Sequence, residues 1–312
     1  MGAIRRAVID VGTNSIKLLV ADVAGGAAIP LFERSEQTRL GQGFYKARHL
    51  RRDAIERTAR AVAGFAALAA EWDVKSPRLI ATSAAREAVN QAELVAAVEK
   101  ASGLRLDVIS GETEADWVFR GVTSDPALAA QPLLILDSGG GSTEFVVGQG
   151  GVRRLGRSFD LGAVRLLEQF PPSDPPAPEE LSRCRDWLKG FLRDTVRPEL
   201  EPALKLFAGQ KVRLVGTGGA ATLLVAMELG LTEFDRARIE GAVLAYPQVV
   251  RRTDRLWSLP LRERKKMLRL APDRADVMLT GAAIYEAVMA GFGFADLAVS
   301  TRGLRHGAVL DV

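Results

Sequence analysis

One pattern occurs twice in this chain, about one domain length apart. AVIDVGTNSIKLLVADV (7–23) and LILDSGGGSTEFVVGQG (134–150) each read as an apolar strand, an aspartate, a glycine-rich turn with hydroxyls, and a second strand. A repeat of this kind constrains the fold more than any single element does. It predicts two α/β domains of common plan, with Asp10 and Asp137 at equivalent strand ends and an active cleft between the copies. The 312 residues give each copy enough chain for a core of its own.

Around the repeats, apolar periodicity and turn residues place the other elements. In the first half, 4–10, 15–23 and 27–34 read as strands and 39–50 as a basic loop. A helix follows from Asp53, its expected N-cap, to Trp72. Then come a strand at 78–82, helices at 83–90 and 93–103 (ended by Gly103), a strand at 104–110 and a helix at 112–121. In the second half, 132–159 reads as three strands joined by turns, followed by a helix near 162–170 and a Pro-rich loop at 171–178. One long helix is expected from Glu179 to Phe207, a strand at 211–216 and a helix at 218–230. The remainder is mainly helical (246–257, 260–269, 273–291), with a strand near 296–299 and a last helix near 302–311. We expect domain I over 1–127 and domain II over 128–299, with the closing helix 300–312 packing back on domain I.

Composition narrows the chemistry. Two histidines, His49 and His306, and one cysteine, Cys184, exclude a histidine triad, an HExxH zinc site and an internal disulfide. Catalysis would rest on carboxylates, hydroxyls, backbone amides and a hard cation. Aromatics at 6% make base-stacking platforms scarce, so no DNA partner is expected; the net charge of +4 permits a small anionic partner without demanding one. Asp10 interrupts the apolar run at the start, so no secretory segment is read there, and no run is apolar for the roughly 18 residues a membrane span needs. The expected location is the cytoplasm.

In Asp137-Ser-Gly-Gly-Gly-Ser-Thr-Glu144, the bare backbone at Gly139, Gly140 and Gly141 would let peptide N–H groups approach a phosphate. Ser142 and Thr143 add hydroxyls, and Asp137 and Glu144 offer hard oxygen ligands for Mg²⁺. The plainer reading is a hairpin with permissive glycines. The first-copy turn, with Asn14 and Ser15, is weaker alone and gains from the repetition. Gly216-Thr217-Gly218-Gly219 follows a strand and opens a helix, a natural place for an anion. Glu114, one turn into a helix, is either a surface residue complementing the dipole or a general base. Arg86 is either solvated or a phosphate ligand. The run RERKKMLR (262–269), with Arg251, Arg252 and Arg255, and the loop with Arg39, Lys46, Arg48, Arg51 and Arg52, are either solvated faces or a polyanion track.

These segments resemble the exopolyphosphatase and guanosine-pentaphosphate phosphohydrolase (Ppx/GppA) family of the actin/hexokinase/Hsp70-like superfamily, whose fold is ribonuclease H-like. The first glycine motif resembles VIDVGTNSIKLLVADV, the second ILDSGGGSTEFVVG and the third VGTGGAATLL; RLGQGF, ATSAAREAVN, ISGETEA, LGAVRLLEQF and LAPDRADVMLTGAAI follow the family order. The chain reads as a short two-domain form. The resemblance implies that Glu114 is the general base and that phosphate and metal positions fall on Asn14, Arg86, Asp137, Ser142 and Glu144, with Asp10 near the metal. Ser15 and the two downstream glycine turns join the phosphate set. Lys17 stands where relatives have Arg or Lys, Thr113 where they have Glu, Phe44 where they have Leu, and His306 where they have an acid.

The implied reaction is removal of terminal phosphate from inorganic polyphosphate with Mg²⁺ (Mn²⁺ as the alternative), and of the 5′-phosphate of pppGpp as a second activity, by a homodimer. Two other readings share the scaffold: an ATP-dependent small-molecule kinase and a non-catalytic polyphosphate or nucleotide binder.

Overall fold

The computed structural model describes residues 2–311. The chain forms two compact units. One runs up to Asp125 and takes in the chain again from Arg302; the other is Pro126–Thr301.

The first unit is built on a five-stranded sheet: β1 (Ile4–Val11), β2 (Ile16–Ala24), β3 (Ala27–Glu36), β4 (Arg78–Ala81) and β5 (Asp107–Val108), in the order β3-β2-β1-β4-β5. β1, β2 and β3 form an antiparallel meander, and β4 and β5 run parallel to β1. The second unit has β6 (Leu133–Ser138), β7 (Thr143–Gln149), β8 (Val152–Phe159), β9 (Arg213–Thr217), β10 (Val243–Ala245) and β11 (Asp296–Val299), in the order β10-β11-β9-β6-β7-β8. Read from the meander inward, both sheets begin on the same plan, an antiparallel meander followed by two parallel strands, and the second sheet adds β10 antiparallel to β11. This is the mixed α/β, two-unit architecture of common plan that the repeat implies. The repetition extends to the second turn of each meander. Gly25-Gly26 joins β2 to β3 and Gly150-Gly151 joins β7 to β8, all four with positive φ (58°, 78°, 61° and 73°). A two-residue hairpin that matches strand twist needs positive φ at both positions, which glycine adopts without strain.

Helices cover the apolar strands. In the first unit, Arg52–Glu71 buries Ile55, Val62 and Phe65 against β1 and β2. Its N-cap is Arg51, not Asp53; the Asp53 carboxylate instead bonds Arg51 and Arg57, which hold it down at about 2. The strand expected at 104–110 shrinks to two residues, and the helix expected at 179–207 is divided. Pro178–Phe191 is α-helical, Leu192–Val196 widens into a π-turn, and Arg197–Lys205 resumes with Pro198 near its start and Pro202 inside. A proline ring lacks the N–H for the i−4 carbonyl and clashes with it, so a single regular helix cannot run through. The short Arg236–Ile239 helix and β10 lie in a stretch with no strong periodicity. Among the described residues, no helix is long and apolar enough to cross a membrane.

One packing contact matters for the site. The Leu304–Leu310 helix lies on the Gly111–Thr123 helix with backbone nearly touching backbone. A Cβ on Gly307 would fall 1.8 Å from the Trp117 carbonyl oxygen, and one on Gly121 would fall 2.3 Å from the Gly303 oxygen. Arg6 and Arg78 donate to the Val309 and Ala308 carbonyls at 3.2 and 3.0 Å, satisfying groups that a helix end leaves open. Gly307→Ala should therefore force the two helices apart and destabilise the first unit by about 3 kcal/mol, read as a lower denaturant midpoint of the full chain. An unchanged midpoint would mean that this contact is slack.

Candidate active site

In each sheet the parallel strands end at a common edge, and the chain leaves that edge through turns and helix starts. Such an edge is where α/β sheets bind ligands. In the first unit β1 ends at Val11, β4 at Ala81 and β5 at Val108. From this edge emerge the 12–15 turn, the Ser83–Glu87 helix with Arg86, and the Gly111–Thr123 helix with Glu114. Ser110 caps the last of these by accepting from the Thr113 N–H at 3.1 Å, and the Thr113 hydroxyl meets the same oxygen at 3.0 Å.

Glu114 is only 6% exposed, which rules out the surface reading of this residue. Its Oε2 accepts from Arg86 Nη1 at 3.0 Å, and the same nitrogen donates to the Ile109 carbonyl at 3.0 Å. Arg86 is thus anchored to the end of β5 and holds a buried carboxylate.

Asp10 is also buried, at 6% exposure, and its Oδ1 has no hydrogen-bond partner. Burial pushes its carboxyl up, opposed by the charges of Lys17, its register partner on β2, and Arg305. Asn14 is half-buried and Ser15 buried in the adjoining turn, where Gly12 N–H donates to the Ser15 carbonyl at 3.1 Å.

In the second unit, strand register sets Ser158, Glu144, Asp137 and Thr217 side by side across β8, β7, β6 and β9. Glu144 is 2% exposed and accepts from the Ser158 hydroxyl at 2.7 Å. The 139–141 turn is held by its carbonyls: those of Gly139 and Gly140 accept from Ala163 and Val164 N–H at 2.9 and 2.8 Å, and that of Gly141 from Arg165 Nε at 2.8 Å. Gly162 permits this approach, since a Cβ there would fall 2.5 Å from the Gly140 carbonyl.

At the third glycine turn, Gly218 has φ +84°, and a Cβ on it would lie 2.4 Å from Asp137 Oδ1. A Cβ on Gly219 would lie 2.4 Å from Arg274 Nη1. A carboxylate and a guanidinium therefore flank the start of the Gly218–Leu229 helix, whose dipole favours an anion.

Several expected site residues do other work. Thr143 is fully buried and its hydroxyl donates to the Leu161 carbonyl at 2.5 Å, so it cannot offer that proton to a phosphate. The Gly139 N–H is spent on the Ser142 carbonyl at 2.9 Å. Gly216 lies inside the sheet, where a Cβ would meet Tyr285 Cε1 at 2.8 Å, so it is a packing glycine and not a phosphate contact. The 262–269 run is not one basic face: Arg264 is 3% exposed, and Glu263 takes Arg262 and Lys266 as ion-pair partners. Among the described residues, no three His, Cys, Asp or Glu side chains are grouped to hold a metal ion.

Two residues escaped the sequence reading. Arg274 stands just before an apolar helix, outside the basic run that drew attention. Tyr285 sits in the largely apolar Met278–Phe292 helix and donates to the carbonyls of Thr217 and Leu136 at 2.6 and 3.2 Å, tying β9 to β6 beside the Asp137–Thr217 pair. A tyrosine in a buried helix needs such a partner, which is the signal that could have found it.

Residues 19–312 match the family model described as the Ppx/GppA phosphatase family. Exopolyphosphatase 2 of Mycobacterium tuberculosis is 35% identical over 296 residues, covering 92% of this chain and 90% of that protein. The crystal structure of an exopolyphosphatase from Cytophaga hutchinsonii superposes with a TM-score of 0.86 at 26% identity, covering 99% of this chain and 98% of that one. An Aquifex aeolicus member of the Ppx/GppA family gives 0.78 at 31% identity, over 99% and 97% of the two chains. On motif order, fold and these likenesses together, the chain belongs to the Ppx/GppA phosphatase family.

Proposed function

We propose that this phosphatase is an exopolyphosphatase, releasing orthophosphate one unit at a time from the end of inorganic polyphosphate. The observation that carries the reading is the buried Glu114 carboxylate held by Arg86 where β5 ends. A carboxylate withdrawn from bulk water and fixed by one guanidinium suits a general base. The likeness to a mycobacterial exopolyphosphatase supports the choice of substrate.

In the reaction, a water oxygen bonds to the terminal phosphorus while the bridging P–O bond breaks. Its electron pair leaves on the shortened chain, and Glu114 takes the proton of the water. Little covalent help is needed; positioning and charge neutralisation do most of the work. Arg86 orients the base. Asn14, Ser15, the amides of Gly140, Gly141, Ser142, Gly218 and Gly219, and the Arg274 guanidinium grip phosphate oxygens.

The adjacent Asp137 and Glu144 carboxylates are hard oxygen donors that suit Mg²⁺, or Mn²⁺ as the alternative, with water and phosphate oxygens completing the shell. The cation would neutralise charge on the phosphates. Asp10, whose buried Oδ1 has no hydrogen-bond partner, belongs to the proposed metal set on family resemblance alone. Hydrolysis of pppGpp and a homodimeric state belong to this proposal on family resemblance, and a cytoplasmic location belongs to it as the default expectation from the sequence.

Purified chain with Mg²⁺ should release orthophosphate from short and long polyphosphate, with pppGpp run alongside to rank the substrates. Phosphate transfer from ATP to an added acceptor, with no release to water, would replace the hydrolase by a kinase. Glu114→Gln should lower kcat by about 10²–10⁴-fold with the chain still folded; retained turnover would remove Glu114 from the mechanism. Chelation should abolish release and added Mg²⁺ restore it, whereas full activity in chelator would discard the cation.

A further inference from the structure

We propose that Ser158 is a positioning residue for the cation site, its hydroxyl fixing the direction in which the Glu144 carboxylate offers its oxygens to Mg²⁺; this rests on the cation assignment in the reading above. Ser158 lies on β8, the edge strand of the second sheet, directly across from Glu144 in the strand register. Its hydroxyl donates to Glu144 Oε1 at 2.7 Å, the length of a bond from a hydroxyl to a charged oxygen. A serine hydroxyl has one proton, and this one is spent on Glu144. The strand itself does not ask for serine. Phe159, the next residue, faces the core and meets Phe145 edge-on at 5.4 Å between ring centroids, so Ser158 stands on the opposite face. β-branched and aromatic residues are the ones that suit a half-buried strand position. The ladder to β7 is made by peptide groups whatever the side chain. What serine adds is the hydroxyl.

That hydroxyl has a carboxylate to steer. Asp137 and Glu144 face each other across β6 and β7, and like charges so placed repel. Ser158 stands on the far side of Glu144 from Asp137, so the bond draws Oε1 toward β8. Carboxylates that bind a metal are oriented by outer partners of this kind, and loss of one costs about 10–100-fold in metal affinity. The first unit holds a matched position. Ser35 is across from Lys17 on β3 as Ser158 is across from Glu144 on β8, with Asp10 and Asp137 next in the two rows. The serine recurs there opposite a lysine and is exposed.

Valine and threonine share a shape and differ by the hydroxyl, so the pair Ser158→Val and Ser158→Thr isolates it. With no substrate present, calorimetry on the full chain should show Mg²⁺ binding weakened about ten-fold or more in Ser158→Val and kept within about three-fold of wild type in Ser158→Thr. The Mg²⁺ concentration for half-maximal orthophosphate release should rise by the same factor in Ser158→Val, while kcat at saturating Mg²⁺ changes less than about three-fold. Ser35→Val should leave Mg²⁺ affinity unchanged. Equal affinity in Ser158→Val and wild type would overturn the proposal. So would equal weakening in Ser158→Thr or in Ser35→Val, which would trace the effect to shape or to the sheets at large. If Ser158→Val does not fold, Ser158→Ala takes its place; failure of both would make Ser158 a residue of the fold and also overturn the proposal. If wild type binds no Mg²⁺, the cation assignment fails and the role of Ser158 with it. If wild type binds Mg²⁺ but releases no orthophosphate, the hydrolase reading fails and the calorimetric comparison still decides Ser158.

Discussion

Everything at the second unit's edge hangs on peptide groups brought closer than side chains allow. The carbonyls of Gly139, Gly140 and Gly141 are drawn onto the start of the Ala163–Gln169 helix and onto Arg165. That contact exists only because position 162 also lacks a Cβ. Spending the oxygens on one side fixes the orientation of the peptide planes, which is how a turn becomes a rigid surface. Gly218 does the same for Asp137, whose carboxylate occupies the space where another residue would carry its Cβ. Glycine here is needed for absence of bulk, and at position 218 for the sign of φ as well.

The common plan was legible because duplicated features are local. Strand, aspartate, turn, strand and a Gly-Gly hairpin can all be read from a short window, and the two sheets repeat them in the same order. The roles inside the turns were less legible. Thr143 and Gly216 look like phosphate ligands in the sequence, but one hydroxyl serves Leu161 and the other position makes room for Tyr285. Those partners lie 18 and 69 residues away, beyond the reach of any local pattern. Glu114 had the opposite fate: local reasoning left a surface role open, and the structure buries the side chain against Arg86.

The two copies have diverged where it matters for chemistry. Both aspartates end the first strand of a meander, yet Asp10 faces Lys17 across the hairpin and Asp137 faces Glu144. The same scaffold position carries a mixed pair in one unit and two like charges in the other. Two adjacent carboxylates favour a hard cation between them, whereas a buried carboxylate beside a lysine is already partly neutralised. One hairpin plan thus carries two electrostatic arrangements.

The first unit is discontinuous along the chain, with its Leu304–Leu310 helix separated from the rest by the whole second unit. The helix that bears Glu114 takes its closest backbone contacts from residues that follow the second unit in the chain, so a change at Gly303 or Gly307 reaches that helix directly.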